Sequence, residues 1–179
     1  MGLSDWFKKL FEPPNFVSKE EPHCLRHYVL TLRLPAGWQF TVPSSDQFTA
    51  TGPGGCSASC VFGRVWTSGT QDNPSYMSAK EMRGRRPEFI KLLQNWFKGG
   101  GAVEVKSADN ILWLERSKAD AQSALLEMAI VNYAPRDPVL DPPWVLRIDC
   151  TAPAGAGGGT FVADRFDALR TALQSAEWN

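Results

Sequence analysis

The most constraining feature of this 179-residue sequence is the nearly continuous apolar run at residues 124–133. Only Glu127 and Asn132 interrupt it, and a strand of this composition is normally covered on both faces. A second strand is indicated at residues 145–150, where Leu146, Ile148 and Cys150 alternate with Arg147 and Asp149. The sequence therefore predicts a central strand inside a sheet whose two faces are both largely covered.

Shorter segments of alternating polarity predict the rest of the sheet. These segments are residues 28–34, 38–42, 48–51 and 56–67, and Pro- and Gly-containing turns separate them. Residues 103–106 and 111–116 are predicted to form a hairpin. In the first of these segments Tyr28 is expected on the same face as Leu30, Leu32 and Leu34. Residues 68–76 are interpreted as a polar loop.

Helical signals separate these strand-rich blocks. Ser78 and Glu81 fit a capping box, and Pro87 interrupts that helix or begins a second one. An apolar stripe follows, and the glycines at 99–101 are expected to end it; the stripe consists of Phe89, Ile90, Leu93, Trp96 and Phe97. A C-terminal helix is marked by Val162, Phe166, Leu169 and Leu173. This order predicts an α+β fold, an antiparallel sheet of about six to eight strands with helices packed on it as an α/β/α sandwich.

Residues 1–22 are predicted to be a short amphipathic helix and a proline-containing connector, ahead of a single domain at 23–179. The apolar residues Leu3, Trp6, Phe7, Leu10 and Phe11 recur at helical spacing and stop before Pro13. The segment lacks the apolar core and cleavage site of a secretory signal, so we expect a cytoplasmic protein. Left in water the stripe would promote aggregation, and it is expected to cover the domain, a twin subunit or a partner.

Charge excludes some classes of partner. Lys and Arg number 19, and Asp and Glu also number 19, so nothing global attracts a polyanion. No apolar run approaches the 18 residues of a membrane span. We therefore predict neither nucleic-acid binding nor stable membrane insertion, and leave a homodimer open.

The residues that could carry chemistry are few. Cys24, Cys56, Cys60 and Cys150 are expected to be reduced and mostly buried. His23, Cys24 and His27 include good metal ligands but lack a nearby fourth, so they are interpreted as a solvated strand entrance. Cys24 and His27 should point to opposite faces of a strand, a poor geometry for a nucleophile and its base. We predict no catalytic residue, metal or cofactor, and the alternative is a small cytosolic enzyme with a Cys/His or metal site.

Three stretches carry a resemblance to a known superfamily. They read LRLPAGWQF at residues 32–40, WVLRIDCTAP at 144–153 and FDALRTAL at 166–173. In this order they resemble the PsbP-like and Ran-binding Mog-like α/β/α sandwich superfamily over about residues 24–177. The resemblance implies a non-catalytic binding module, since its members include photosystem assembly factors, a small-GTPase-binding protein and type VI secretion effector chaperones. The extension before Pro13 and the insertion at 135–143 depart from the chaperone type.

Three groups of residues are predicted to bind a partner protein. The proline-rich loop offers an aromatic residue beside both charge signs, in Trp144, Arg136, Asp137 and Asp141. A basic cluster on the mid-chain helices, Arg83, Arg85 and Arg86, fits an acidic partner. The N-terminal stripe adds Trp6, Phe7, Leu10 and Phe11. Of the seven tryptophans, Trp144 and Trp178 are expected to be the most exposed. The predicted role is that of a secretion chaperone, adaptor or toxin-immunity protein.

Overall fold

The computed structural model describes residues 16–41, 44, 46–70, 72–97, 103–108, 110–119, 123–133, 142–153 and 160–179. The strands are β1 (Cys24–Arg26), β2 (Leu30–Arg33), β3 (Gln39–Thr41), β4 (Gln47–Thr51), β5 (Ser57–Gly63), β6 (Trp66–Thr70), β7 (Asn73–Tyr76), β8 (Glu104–Ala108), β9 (Ile111–Ala119), β10 (Ser123–Asn132), β11 (Val145–Pro153) and β12 (Glu177–Trp178). The helices are α1 (Ala79–Gly84), α2 (Arg86–Gln94) and α3 (Thr160–Gln174), with a 3-10 turn at Pro53–Gly55. The predicted N-terminal helix lies outside the described residues.

A seven-stranded antiparallel sheet forms the centre of the fold. Its strand order is β3-β4-β5-β11-β10-β9-β8, and the register pairs Leu126 of β10 with Cys150 of β11 and with Ser117 of β9. The predicted central strand, the hairpin β8–β9 and the antiparallel sheet of six to eight strands are thus confirmed, and the predicted α+β class is compatible with a structure that is mostly strand with few helices.

One face of this sheet, called the first face, is covered by two elements. A three-stranded sheet of order β1-β2-β12 contributes Leu25, Leu30 and Leu32, and α3 contributes Phe166, Leu169 and Leu173. They pack on alternate residues of the large sheet, including Phe48, Cys60, Met128, Ile148 and Cys150. All four cysteines are buried, as predicted, and Cys56, Cys60 and Cys150 pack in this first-face core.

The opposite face, called the second face, is covered by α1 and α2. Met82, Phe89 and Leu93 pack against residues of β9, β10 and β11, which are Leu112, Leu114, Ala129, Val131 and Val145. Farther along β9 and β10 the same face carries an ion pair between Arg116 and Glu127, each only a few per cent exposed. On β4 and β5 the face is half-buried or exposed, with the polar residues Gln47, Thr49, Ser57 and Ser59 and the exposed Val61.

The predicted strand at 56–67 and loop at 68–76 are wrong. β5 ends at Gly63, the chain leaves the large sheet at Arg64, and β6 pairs with β7 in a separate hairpin. Every residue of β6 is exposed, so no alternation of polarity marks it. Gly69 has φ of +97°, and a Cβ there would lie 2.3 Å from the carbonyl oxygen of Asn73, so this tight hairpin requires glycine.

Other local expectations are settled residue by residue. The capping box is confirmed, because the Glu81 amide donates to Ser78 Oγ at 3.3 Å and the Ser78 amide donates to Glu81 Oε2 at 2.9 Å. The hydrogen bond from the Ser78 amide to the Glu81 carboxylate is the main cause of the lowered pKa of Glu81. A second helix does begin here, as one of the two predicted alternatives stated, but it starts at Arg86 and Pro87 is its second residue. That helix ends at Gln94, before the glycines, since Trp96 and Phe97 turn back onto the second-face core.

Candidate interaction site

Four residues from separate elements form an aromatic–arginine cluster at one end of the sandwich: Tyr28, Arg64, Tyr76 and Trp144. The guanidinium carbon of Arg64 lies 4.5 Å from the centre of the Trp144 ring and 5.6 Å from that of Tyr76. Tyr28 meets Trp144 edge-on, with ring centres 5.6 Å apart. A cation over an aromatic face is attracted by the ring quadrupole, so Arg64 joins the aromatic residues into one surface.

Strand register explains why these residues meet. Gly63 of β5 pairs with Val145 of β11, which places Arg64 and Trp144 next to each other where both strands end. The hairpin β6–β7 then pairs Trp66 with Tyr76 and returns the chain to the same end. The cluster is thus a product of long-range strand pairing.

Tyr28 corrects an expectation from the sequence. It does not face the core with Leu30 but is 43% exposed, since the chain turns between β1 and β2. The ring of His27 packs behind it at 3.9 Å and stacks on Phe62 at 4.1 Å. Burial is the main cause of the raised pKa of Tyr28, which the charge of Arg64 partly offsets.

Exposure of the tryptophans also differs from expectation. Trp66 is 52% exposed and lies across the β6–β7 pair from Tyr76. Trp178, expected to be exposed, is partly buried because β12 pairs with β2 and its ring packs on the first-face core. Trp144 is half-buried. Its indole nitrogen, like Arg64 Nε, is buried and has no hydrogen-bond partner within the described part of the chain.

The predicted basic cluster is divided among different contacts. Arg83 Nη1 donates to the carbonyl oxygen of Tyr133 at 3.0 Å, which ties α1 to the end of β10. Arg85 pairs with Glu88 one turn along α2. Arg86 is half-buried near Tyr133, and its charge partly offsets the burial that raises the pKa of that tyrosine. These arginines therefore do not form one free positive patch.

Several predicted partner-binding residues cannot be placed. Arg136, Asp137 and Asp141 of the loop lie outside the described residues, and so does the N-terminal stripe with Trp6, Phe7, Leu10 and Phe11. The described residues next to these two segments are Tyr133 and Phe16. Tyr133 precedes the loop and receives the Arg83 hydrogen bond, while Phe16 follows the N-terminal segment with its ring centre 6.1 Å from that of Tyr28.

The interpretation of His23, Cys24 and His27 as a solvated strand entrance holds for His23 alone. Cys24 is buried beneath Arg33, whose Nη1 donates to its sulfur at 3.3 Å. His27 is 3% exposed, and its Nδ1 accepts from the Val29 amide at 3.2 Å. Within the described ranges no three His, Cys, Asp or Glu side chains come together as metal ligands.

Two further thiols are poor nucleophiles. Burial raises the pKa of Cys60 to about 12, and burial likewise raises that of Cys150, helped by the neighbouring thiols and Asp149. Since the thiolate is the reactive form, both cysteines are suited to packing. Their place in the first-face core agrees with this assignment.

Sequence reasoning missed Tyr28, Arg64, Trp66 and Tyr76. The available signal was that Arg64 and Trp66 follow Gly63, so that a strand of mostly small and apolar residues is followed by a charged and a large aromatic residue. Reading residues 56–67 as one strand concealed it.

No protein-family model matches the sequence, and no curated protein matches it. No helix in the described part of the chain is long and apolar enough to cross a membrane.

Proposed function

We propose that this chain is a non-catalytic protein-binding module of the cytoplasm that recognises its partner through the aromatic–arginine cluster and the adjoining Trp66. The observation that carries the proposal is Arg64 over the Trp144 ring, in a cluster with the exposed Tyr28 and with Tyr76, whose strand partner Trp66 is also exposed. Trp, Tyr and Arg are the residue types that dominate the binding energy of protein interfaces.

The cluster is supported from behind, which favours tight binding. The ring of Tyr28 packs on His27, which in turn stacks on Phe62, and the pairing of β6 with β7 holds the backbone of Trp66. Side chains already held in place lose little conformational entropy when a partner binds.

The described residues that flank the two segments predicted to bind a partner lie at this same end. Residues 134–141 connect Tyr133 to Pro142, beside Trp144, and residues 1–15 lead to Phe16, beside Tyr28. We therefore extend the proposed surface to Arg136, Asp137, Asp141 and the N-terminal stripe. In this proposal Arg83 acts by holding α1 against Tyr133, and Arg85 and Arg86 border the surface.

Within this proposal the role is that of a secretion chaperone, an adaptor or a toxin-immunity protein, and the superfamily is the PsbP-like α/β/α sandwich. A zero formal charge supports a protein partner over a nucleic acid. The raised pKa values of Cys60 and Cys150 count against these two thiols as the nucleophile of a cysteine enzyme.

The test is site-specific photo-crosslinking of the full chain in its native host. One form carries the photoreactive residue at Trp66, and the control carries it at Val105, which is 40% exposed on the edge strand β8. The proposal expects one discrete adduct with a second protein from position 66 and none from position 105. Absence of an adduct at 66, or the same adduct at both positions, would contradict it.

A further inference from the structure

A second feature of the first face lies away from the aromatic–arginine cluster. A cavity of about 340 Å³ opens between the β8–β9 edge of the large sheet and the elements α3 and β12. Its floor consists of three buried residues, Trp113, Ile130 and Leu173. A volume of this size falls within the range of small-molecule sites.

The two tryptophan rings that line the cavity are held by contacts outside it. The indole nitrogen of Trp113 donates to Glu115 Oε2 at 3.0 Å, and Glu115 Oε1 accepts from Arg170 Nε at 2.8 Å. Trp178 also lines the cavity, and it is held by its pairing with Leu30 of β2. Because these rings are already oriented, a ligand would meet a preformed site and pay little for reorganisation.

Polar groups lie only at the mouth. Lys106, Ser107 and Gln174 line the cavity there, and all three are exposed. Lys106 Nζ contacts Glu104 Oε2 at 3.0 Å, and both side chains are more than half exposed. An exposed pair of this kind contributes little stability, so another carboxylate can replace Glu104 at small cost.

We propose that this cavity binds a small amphipathic monocarboxylate. Its apolar body packs between Trp113 and Trp178 over Ile130 and Leu173, and its carboxylate pairs with the Lys106 ammonium. The guanidinium of Arg170 is already paired with the buried carboxylate of Glu115, whereas the Lys106 ammonium lines the cavity and can pair with the anion. This site is separate from the proposed protein-binding surface and does not depend on it.

The experiment titrates the full chain with octanoate, octanol and octylamine, and follows tryptophan fluorescence and the heat of binding. We expect saturable octanoate binding about threefold tighter than octanol binding, and the weakest binding for octylamine. Lys106→Gln should weaken octanoate binding about threefold and leave octanol binding unchanged. Glu104→Gln should tighten octanoate binding, since it frees the ammonium.

Two variants complete the design. Gln174→Trp at the mouth should block both ligands, while Lys118→Gln, which removes an exposed lysine of β9 on the second face, should change neither. No saturable octanoate binding, or equal binding of octanoate and octanol in the wild type and in Lys106→Gln, would overturn the proposal. Neither result affects the crosslinking test of the protein-binding surface.

Discussion

The two faces of the seven-stranded sheet use the same strands but bury different chemistry. On β11, Ile148 and Cys150 belong to an apolar core, while Arg147 and Asp149 on the other side of the strand are half-buried and form an ion pair. The small sheet and α3 contribute a broad layer to the first-face core, whereas α1 and α2 pack on the second face beside β9, β10 and the start of β11. On both faces, the buried apolar side chains of the sheet lie where helices or the small sheet pack on it.

The largest expected effect is the loss of a large side chain from the first face. Phe48 is fully buried, with its ring about 6 Å from those of Phe16, His27 and Phe62. Phe48→Ala should lower the free energy of unfolding by about 3–5 kcal/mol, from lost burial and the cavity left behind. Val61→Ala on the exposed part of the second face should change it by less than about 0.5 kcal/mol. Denaturant unfolding of both variants checks this, and equal losses would show that the faces do not differ as described.

A slightly smaller effect is expected at the buried ion pair of the second face. Glu127→Ala leaves the Arg116 charge buried against the Phe97 ring without its carboxylate partner. We therefore expect the free energy of unfolding to fall by about 3 kcal/mol. Replacing both residues, Arg116→Met with Glu127→Leu, should recover most of that loss, because no charge then remains buried. A double variant as unstable as the single one would show that packing, and not charge, dominates there.

The smallest effect concerns the helix pair that covers the second face. Ser78→Ala removes the cap of α1 and should lower the free energy of unfolding by about 1 kcal/mol. Equal stability of this variant and the wild type would mean that the cap does not hold α1 in place.

The capping box also predicts a pH dependence. The pKa of Glu81 is lowered in the folded protein, so its stabilising contribution is present above its unfolded value of about 4.3 and is lost as the pH falls through the folded value. Glu81→Gln should therefore be less stable than the wild type at neutral pH, and the two should converge in acid. A stability difference that is constant with pH would exclude this role.

Periodicity predicts the parts of the fold where one burial pattern persists. The run at 124–133 and the alternation at 145–150 became β10 and β11, and the Ser78–Glu81 spacing became the observed cap. The hairpin β6–β7 escaped prediction because all of β6 is exposed and a strand without a buried face has no period of two.

The candidate site was predictable only in part. Trp144 was recognisable as an aromatic residue beside a long loop, but its contact with Arg64 depends on the pairing of Gly63 with Val145 across 82 positions of sequence. Tyr28 was misplaced because the predicted alternation began two residues before the true start of β2 at Leu30. Such contacts follow from register, which local pattern does not specify.

The most direct test of the central claim measures the affinity of the crosslinked partner for matched variants of the full chain. Trp66→Ala combined with Arg64→Lys removes an exposed ring and the planar cation while the charge is kept. We predict at least about tenfold weaker binding for this variant, with unchanged unfolding, and no change for the control Val105→Ala. Unchanged affinity for the cluster variant together with weaker binding of Val105→Ala would contradict recognition through the aromatic–arginine cluster.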